Sequence, residues 1–406
     1  MTHVESKTPG AGVTALILAT LAFTLCFAVW GLISPLAPLF RDLYRLSATQ
    51  VGLLVAVPVL LGSLARIPLG MATDRYGGRL VFTALLLAVV APVAVVGFTR
   101  SYAAILAASL FLGLAGASFA VGVPFTARWF PPARQGFALG VYGVGNVGTA
   151  IAGFVAPRVA AGVGWPFAFW IFLPALLAMA LLFWLVGRDA PGFVPRTEGL
   201  AARFAVFRRE PVSWVLALFY FVTFGGFVAI SIYLPTLLVG EYGLDPVDAG
   251  TRAAGFVILA TATRPLGGAL ADRWGGTAIL DGVFLTVAAL AIVLAFRPGI
   301  LAITVAFLGI ACVLGLGNGA VFKLVAEYFP RETGAVTGLV GAAGGLGGFF
   351  PPLLMGAVRD LTGSYAIGFM LLSEFALGAL IVNLLALQRR ASLLVPRTRS
   401  GEPGAK

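Results

Sequence analysis

The chain has 406 residues, of which 60% are hydrophobic and 11% charged. Soluble domains are about 45–50% apolar and about 25% charged, so this composition excludes an ordinary water-soluble globule. A membrane-spanning helix needs about 20 apolar residues, and twelve helices of about 25 residues use roughly 300, which leaves no room for a separate soluble catalytic domain. The composition therefore indicates an integral membrane protein surrounded by a lipid bilayer.

Apolar runs between polar breaks predict twelve transmembrane helices. The first six cover residues 14–39, 49–72, 80–98, 102–126, 135–159 and 165–187, and the next six cover residues 213–238, 250–271, 278–296, 299–326, 334–358 and 364–387. The first run lacks a convincing cleavage site, so we interpret it as a retained span. The predicted units are a tail (1–13), a six-helix bundle (14–187), a linker (188–212), a second bundle (213–387) and a tail (388–406).

The formal net charge of +11 raises the question of which side of the membrane the charge faces. With both termini in the cytoplasm, 17 of the 27 Lys and Arg residues fall inside and seven outside. Cytoplasmic loops carry an excess of Lys and Arg, so this count favours the N-in, C-in orientation in the inner membrane. The topology accounts for much of the charge without a nucleic-acid partner.

Few residues in the chain are suited to catalysis. The only histidine, His3, lies in the polar N-terminal tail, and the two cysteines, Cys26 and Cys312, lie inside apolar runs. These positions argue against a histidine relay, a Ser/His/Asp triad, a metal site or a disulfide framework. We therefore expect that the protein is not an enzyme and uses no metal or cofactor.

The two halves carry an internal repeat. Residues 66–78 (RIPLGMATDRYGG) recur at 264–276 (RPLGGALADRWGG), with an offset of 198 and the same spacing of eight from Arg to Asp. Other landmarks, such as Phe130-Pro131 and Phe329-Pro330, recur at nearly this offset. Six helices per half give the repeats the same orientation, an arrangement typical of the major facilitator superfamily.

Residues 70–79 (GMATDRYGGR) resemble the loop motif of that superfamily between helices two and three. Its charged residues lie where helices end, and they are candidates for a latch between the halves that breaks on opening; simple helix capping is the alternative interpretation. The latch candidates are Asp74, Arg75 and Arg79, with Asp272 and Arg273 in the second copy.

Two arginines are predicted to lie near the membrane centre. Arg66 lies eight residues from Asp74, and Arg264 lies eight from Asp272, or roughly 12 Å along a helix. Charged groups in hydrocarbon are costly and usually functional. Two guanidinium groups that face one cavity suit a planar anion that accepts forked hydrogen bonds. The alternative is that each arginine pairs with a carboxylate, for which Glu374 is the clear mid-span candidate.

Two segments resemble the signatures of the nitrate/nitrite porter family of the major facilitator superfamily. The first is 113–148, with WFP at 129–131 and GNVG at 145–148, and the second runs from GNGAVFK at 317–323 to GGLGGFF at 344–350. The resemblance implies transport of nitrate, nitrite or both, and we expect a protein that acts as a monomer. It also implies the substrate-binding residues Arg66, Arg264, Asn146, Tyr220, Phe119, Phe224 and, as a weaker assignment, Phe27.

The mechanism of coupling stays open in the sequence. An empty cavity with two unpaired cations resists closing, which favours nitrate/nitrite exchange if nothing else titrates. Lys323, Glu327 and Glu374 are candidates for proton coupling, although Lys323 and Glu327 are four residues apart on a helix and suited to pair with each other. The stretch around Lys323 looks more like the proton/nitrate symporters, so symport is preferred over exchange.

Other functions compatible with this fold are less well supported. Drug pumps and sugar transporters usually carry buried acids or amides in place of a symmetric arginine pair, although another small anion is a possible substrate. A channel does not need a two-half repeat with glycine-rich helices, which indicates alternating access. A sensor without transport activity has the same fold. Only a measurement of flux distinguishes it from a transporter.

Overall fold

The computed structural model describes residues 9–195, 205, 208–329 and 333–388. Within this part of the chain, twelve helices are long and apolar enough to cross a membrane, which confirms the predicted all-α membrane fold. The first half contains α1 (Gly10–Tyr44), α2 (Ala48–Tyr76), α3 (Gly78–Phe98), α4 (Tyr102–Ala127), α5 (Ala138–Val163) and α6 (Trp165–Val186). The second contains α7 (Val212–Tyr242), α8 (Pro246–Trp274), α9 (Gly276–Ala295), α10 (Ile300–Tyr328), α11 (Val336–Thr362) and α12 (Ala366–Leu387).

Most observed helices extend a few residues beyond the predicted spans. The regular helix of α1 already starts at Pro9, within the segment predicted as a tail. Most of the predicted linker between 196 and 207, and the C-terminal tail from 389 onward, lie outside the described residues. Helix ends carry polar residues that satisfy backbone groups at the membrane surface, which is why a hydropathy pattern places the ends short.

Several helices change geometry near their middle. α2 divides into Ala48–Leu64 and Arg66–Tyr76, so Arg66 begins its second segment. α4 contains a 3-10 turn at Gly113–Ala117, and α5 contains one at Val144–Val147. Such turns within a helix often mark functional positions. Here they lie in the helices that carry the predicted site residues.

The repeat is visible in the way that α2 and α8 begin and end. Ser47 caps the start of α2, and Asp245, 198 residues later, caps the start of α8. The two helices end at Gly77 and Gly275, with φ angles of 84° and 85°. Positive φ favours glycine, so the paired glycines of the motif are explained by this turn.

The halves meet at the distal end of the bundle, which holds the α1–α2, α7–α8 and α11–α12 connections. Ser34 Oγ of α1 donates to the Ile232 carbonyl of α7 at 2.6 Å. Arg158 Nη2 of α5 donates to Thr251 Oγ1 of α8 at 3.1 Å. α2 and α11 also touch, since a Cβ added at Gly52 would lie only 2.5 Å from the Pro352 carbonyl oxygen. The distal end is therefore closed.

At the opposite end, the loop-motif charges contact residues of their own halves. Asp74 pairs at 2.5 Å with Arg128, which directly follows α4, and Arg79 donates to the Trp184 carbonyl of α6 at 2.6 and 2.9 Å. Arg75 lies over its neighbour Tyr76, with its guanidinium carbon 5.2 Å from the ring centroid. These contacts bind the helix ends of one half together in the distally closed conformation.

In the second copy of the motif, Asp272 pairs with Lys323 of α10 at 2.7 Å, and Arg273 is exposed. The proposed latch between the halves stays a prediction for the opposite conformation, in which these residues would face the other half.

Replacing Gly267 by alanine is expected to lower the melting temperature of the detergent-solubilised protein by several degrees. The added Cβ would overlap the Leu316 carbonyl, where α10 approaches the α8 backbone. Gly268→Ala is the matched control, because a Cβ at Gly268 meets nothing within 4 Å and alanine favours a helix. Thermal unfolding followed by tryptophan fluorescence measures both; equal melting temperatures would contradict the close packing.

Candidate anion-binding site

Arg66 lies in the interior of the bundle, ten residues or about 15 Å along the helix from Tyr76 at the end of α2. Its exposed fraction is 6%. Nη1 donates to the Gly341 carbonyl of α11 at 2.6 Å, and Nη2 lies 3.5 Å from the Gly116 carbonyl of α4. Arg66 therefore reaches from the first half to the second, as the repeat arithmetic predicts for a residue at the interface.

Arg264 approaches from α8, ten residues from its end at Trp274. Its Nη2 donates to the Tyr220 hydroxyl of α7 at 2.8 Å. The Phe224 ring centroid lies 5.6 Å from the guanidinium carbons of both Arg66 and Arg264. One phenyl ring thus contacts both arginines, which brings the two predicted clamp residues to the same region.

Neither arginine forms an ion pair with any carboxylate in the described part of the chain. The described ion pairs of acidic residues use other cations, such as Arg128 with Asp74 and Arg359 with Glu241. Carbonyl and hydroxyl oxygens satisfy part of the guanidinium groups, and Arg66 Nε is buried without a hydrogen-bond partner in the described part of the chain. A buried and a partly buried positive charge without a carboxylate partner among the described residues are costly, so the region attracts an anion.

Aromatic rings form the walls of this region. Tyr220 and Phe224 stack with ring centroids 4.9 Å apart and an interplanar angle of 3°. Phe119 of α4 lies 5.8 Å from the Arg66 guanidinium carbon, on the side of the first half. Rings present flat faces to a planar ligand and exclude water. The close approach of α11 needs Gly344, because a Cβ there would overlap the Tyr220 ring.

Asn146 lies in the 3-10 turn of α5 and is 1% exposed. Its Nδ2 donates to the Gly143 carbonyl at 2.6 Å, and its Oδ1 has no hydrogen-bond partner among the described residues. An amide nitrogen carries two N–H groups, so one donor is left for a ligand. One N–H group of the Asn146 amide is therefore available to a ligand in a buried turn. No hydrogen bond joins Asn146 to either arginine among the described residues.

The aromatic contribution of α1 includes a residue that the sequence analysis did not select. The described ring contacts of Phe27 are with Phe23 and Trp30, at 4.4 and 5.0 Å between centroids. Phe23 also stacks on Tyr142 at 4.7 Å and contacts Phe119 at 5.8 Å. Phe23 therefore connects Phe27 to the wall that faces Arg66.

Tyr142 is a second residue that the sequence analysis missed. It is fully buried, and its hydroxyl donates to the Ser118 carbonyl at 2.8 Å. Its ring lies 6.1 Å from Phe119. Tyr142 precedes Asn146 by four residues in α5, so helical spacing was the available signal.

The coupling candidates lie in different surroundings. Lys323 forms its ion pair with Asp272 in place of Glu327, because α8 and α10 pack closely enough for the side chain to cross between them. Glu327 is exposed near the end of α10. Glu374 is exposed on α12 and does not pair with either central arginine. Of the three, Lys323 alone has a described link to α8, the helix that carries Arg264.

An apolar cavity of about 380 Å³ lies among α7, α10, α11 and α12. Its lining is free of charged side chains and includes Phe221, Tyr233 and Phe369. A small hydrophilic anion has no partner there, so we exclude this cavity as the anion site.

Two parallel six-helix halves with a cationic region at their interface are an arrangement typical of transporters built from repeats. A sequence model described as "Major Facilitator Superfamily" matches residues 19–352. The chain therefore belongs to the Major Facilitator Superfamily. It is a multi-pass protein of the inner (cytoplasmic) membrane. It is a transporter and not an enzyme, as the sequence predicted.

Several relatives cover nearly the whole chain. The "Nitrite extrusion protein" of Bacillus subtilis is 43% identical over 367 residues, which are 90% of this chain and 92% of the relative. The "Probable nitrate/nitrite transporter NarK2" of Mycobacterium tuberculosis is 43% identical over 90% of this chain and 94% of the relative. The "Probable nitrate transporter NarT" of Staphylococcus epidermidis is 37% identical, with coverages of 91% and 95%. These relatives confirm the resemblance to the nitrate/nitrite porters.

Solved structures support the fold. A bacterial homologue of the human lysosomal transporter Spinster superposes with a TM-score of 0.73 at 20% identity, over 93% of this chain and 96% of that one. The human organic anion transporter MFSD10 gives a TM-score of 0.72 at 18% identity, with coverages of 92% and 99%. At these identities the comparison shows a shared architecture.

Gly344→Ala is expected to weaken anion binding at least tenfold, because the added methyl group displaces Tyr220 and with it the hydroxyl that holds Arg264. Gly338→Ala, in the same helix with nothing within 4 Å of the new Cβ, is the control. The measurement is the rise in melting temperature with increasing oxyanion concentration, since a ligand stabilises the state that binds it. The same concentration dependence in both variants would argue against the wall of rings.

Proposed function

We propose that the protein transports nitrate, nitrite or both across the membrane by alternating access. The observation that carries this proposal is the pair of interior arginines, one from each half, of which Arg66 is buried and Arg264 partly buried, without a carboxylate partner among the described residues. Relatives at 37–43% identity that bear the names of nitrate and nitrite transporters support the choice of anion.

In this proposal, Arg66 and Arg264 clamp the anion between the halves. A guanidinium group presents parallel N–H donors in one plane, which matches two oxygens of a planar oxyanion. Phe224 contacts both arginines, and Phe119 and Tyr220 complete the walls. Phe27 supports the wall through Phe23, and Asn146 supplies a further donor.

The clamp links binding to conformational change. Without an anion, bringing two cations together in a closed cavity is unfavourable, and a bound anion removes much of this cost. The loaded transporter therefore passes through the occluded state more easily than the empty one. This behaviour supports obligatory exchange unless another charge enters with the anion.

We infer that the distal end faces the outside and that both termini are cytoplasmic. The distribution of Lys and Arg along the sequence supports this orientation. In that orientation, the closed distal end makes the structure inward-facing, ready to load or release an anion on the cytoplasmic side.

For coupling, we favour proton/nitrate symport over nitrate/nitrite exchange. The Lys323–Asp272 pair joins α10 to the helix that carries Arg264. Asp272 lies eight residues from Arg264 on α8, so this ion pair gives Lys323 a described contact with the helix of the proposed clamp. Glu327 and Glu374 stay candidates for the proton path.

Arg66→Lys is expected to reduce nitrate affinity by about a hundredfold although the positive charge is kept, because the planar fork that holds two oxygens is lost. Isothermal titration calorimetry of the purified protein measures the affinity. Arg75→Lys is the control, since Arg75 stacks on Tyr76 at the surface of the bundle. Normal affinity and uptake by Arg66→Lys would refute the clamp.

Proteoliposomes with a pH-sensitive dye in the lumen distinguish the two modes of coupling. Uptake of nitrate into vesicles without internal anion, with acidification of the lumen, is the result expected for symport. Uptake that requires internal nitrite would establish exchange and overturn symport. Uptake of other small anions without nitrate flux would show that the substrate is an anion other than nitrate. No flux at all would refute transport.

A further inference from the structure

Asp360 joins the two halves at the distal end. This residue lies in the last turn of α11, and its carboxylate accepts three hydrogen bonds from the first turn of α2. Oδ1 accepts from the Ala48 N–H at 2.9 Å, and Oδ2 accepts from the Thr49 N–H at 2.7 Å and the Thr49 hydroxyl at 2.5 Å. A side chain of the second half thus binds the start of a helix in the first.

The start of α2 does not need Asp360 in order to form. Ser47 and Gln50 already make a complete capping box: the Ser47 hydroxyl accepts from the Gln50 N–H at 3.2 Å, and the Gln50 side chain accepts from the Ser47 N–H at 2.9 Å. These two bonds satisfy the N–H groups of Ser47 and Gln50, as in an ordinary capping box. The carboxylate of Asp360 accepts from the two N–H groups that lie between them, those of Ala48 and Thr49, and faces the positive end of the helix dipole.

The repeat shows that this contact exists on one side only. α8 begins with Asp245, the counterpart of Ser47, whose carboxylate accepts from the Val247 N–H at 2.8 Å within the same half. The counterpart of Asp360 at the offset of 198 is Gly162, which has no side chain to reach α8. The α2–α11 contact therefore carries a carboxylate that the α5–α8 contact lacks.

The end of α11 is firmly attached to its own half. Arg359, next to Asp360, pairs with Glu241 of α7 at 2.8 Å, and Arg297 pairs with the same carboxylate. The Glu241 side chain is 3% exposed. Because the end of α11 is held to its own half by a buried carboxylate, the bonds of Asp360 to α2 hold the halves against each other.

We propose that Asp360 is the distal gate of the transporter: its bonds to the start of α2 keep the distal end closed and must break before an anion enters from that side. This proposal rests on alternating access as the proposed function but not on the identity of the anion. Asp360 acts on transport by positioning the halves and does not contact the substrate.

The test is a distance measurement between spin labels on the full-length protein. Labels at Ser101→Cys and Phe296→Cys occupy exposed distal positions in opposite halves, in a chain with Cys312→Ala and the buried Cys26 retained. Double electron–electron resonance gives the populations of short and long distances. We expect Asp360→Ala to raise the ratio of long to short distances by about fivefold, as for the loss of hydrogen bonds to an exposed carboxylate.

Asp245→Ala is the matched control, because it removes a helix-capping carboxylate at the repeat position without touching the interface between the halves. Thr49→Val removes only the hydroxyl bond and should give a smaller shift in the same direction. If Asp360→Ala does not fold, this milder variant still tests the gate. An unchanged distribution in the variants of Asp360 and Thr49, or an equal shift in Asp245→Ala, would overturn the proposal.

The same samples separate this proposal from the proposed function. A shift of the distance distribution in Asp360→Ala, in a protein that neither binds nor transports nitrate, would support Asp360 as the distal gate. It would refute nitrate as the substrate. Nitrate transport by the wild type without any shift in the variant would support the cargo and refute the gate.

Discussion

The free energy needed to hold two positive charges in the middle of a membrane protein governs the candidate site. Neither arginine has a carboxylate partner among the described residues. Arg66 is almost fully buried, and its described hydrogen-bond partners are backbone carbonyls. Carbonyl dipoles lower the energy of a guanidinium group but do not neutralise it. The arrangement is stable enough to fold yet unfavourable enough to favour an anion, which is the balance that a transporter needs if it is to release its cargo.

The repeat explains why the charges come as a pair. Each half carries an arginine ten residues from the end of a helix, and each helix ends in the same glycine turn, at Gly77 and Gly275. Copying one six-helix unit thus places two cations at equal depth on opposite sides of an interface. The two copies differ in the hydrogen bonds of their arginines. Arg264 donates to a tyrosine of its own half, whereas Arg66 donates to a carbonyl of the other half.

Much of this architecture was predictable from the sequence, because hydropathy and spacing act along the chain. The twelve helices, the repeat and the depth of both arginines follow from runs of apolar residues and a rise of about 1.5 Å per residue. Contacts between distant helices are not encoded in this way. The partner of Lys323 is an aspartate on another helix, and no spacing rule favours Asp272 over the nearer Glu327.

The aromatic wall shows the same limit. Tyr220 and Phe224 are one turn apart, so their stacking follows from helical spacing once the motif is noticed. Phe23 and Tyr142 belong to different helices and meet only because α1 and α5 pack together. In a chain with 32 phenylalanines, composition alone does not distinguish a ring in the site from a ring that faces lipid.

The bond from Arg66 to the carbonyl of Gly341 has a consequence for how such a site is studied. Every amino acid supplies a carbonyl, so a side-chain replacement at 341 removes nothing from this bond unless it shifts the backbone. A conventional alanine scan therefore does not detect the contribution of the carbonyl to this hydrogen bond. Replacing the amide that follows residue 341 by an ester, through unnatural mutagenesis, weakens the carbonyl as an acceptor and makes the backbone's contribution to ion recognition measurable.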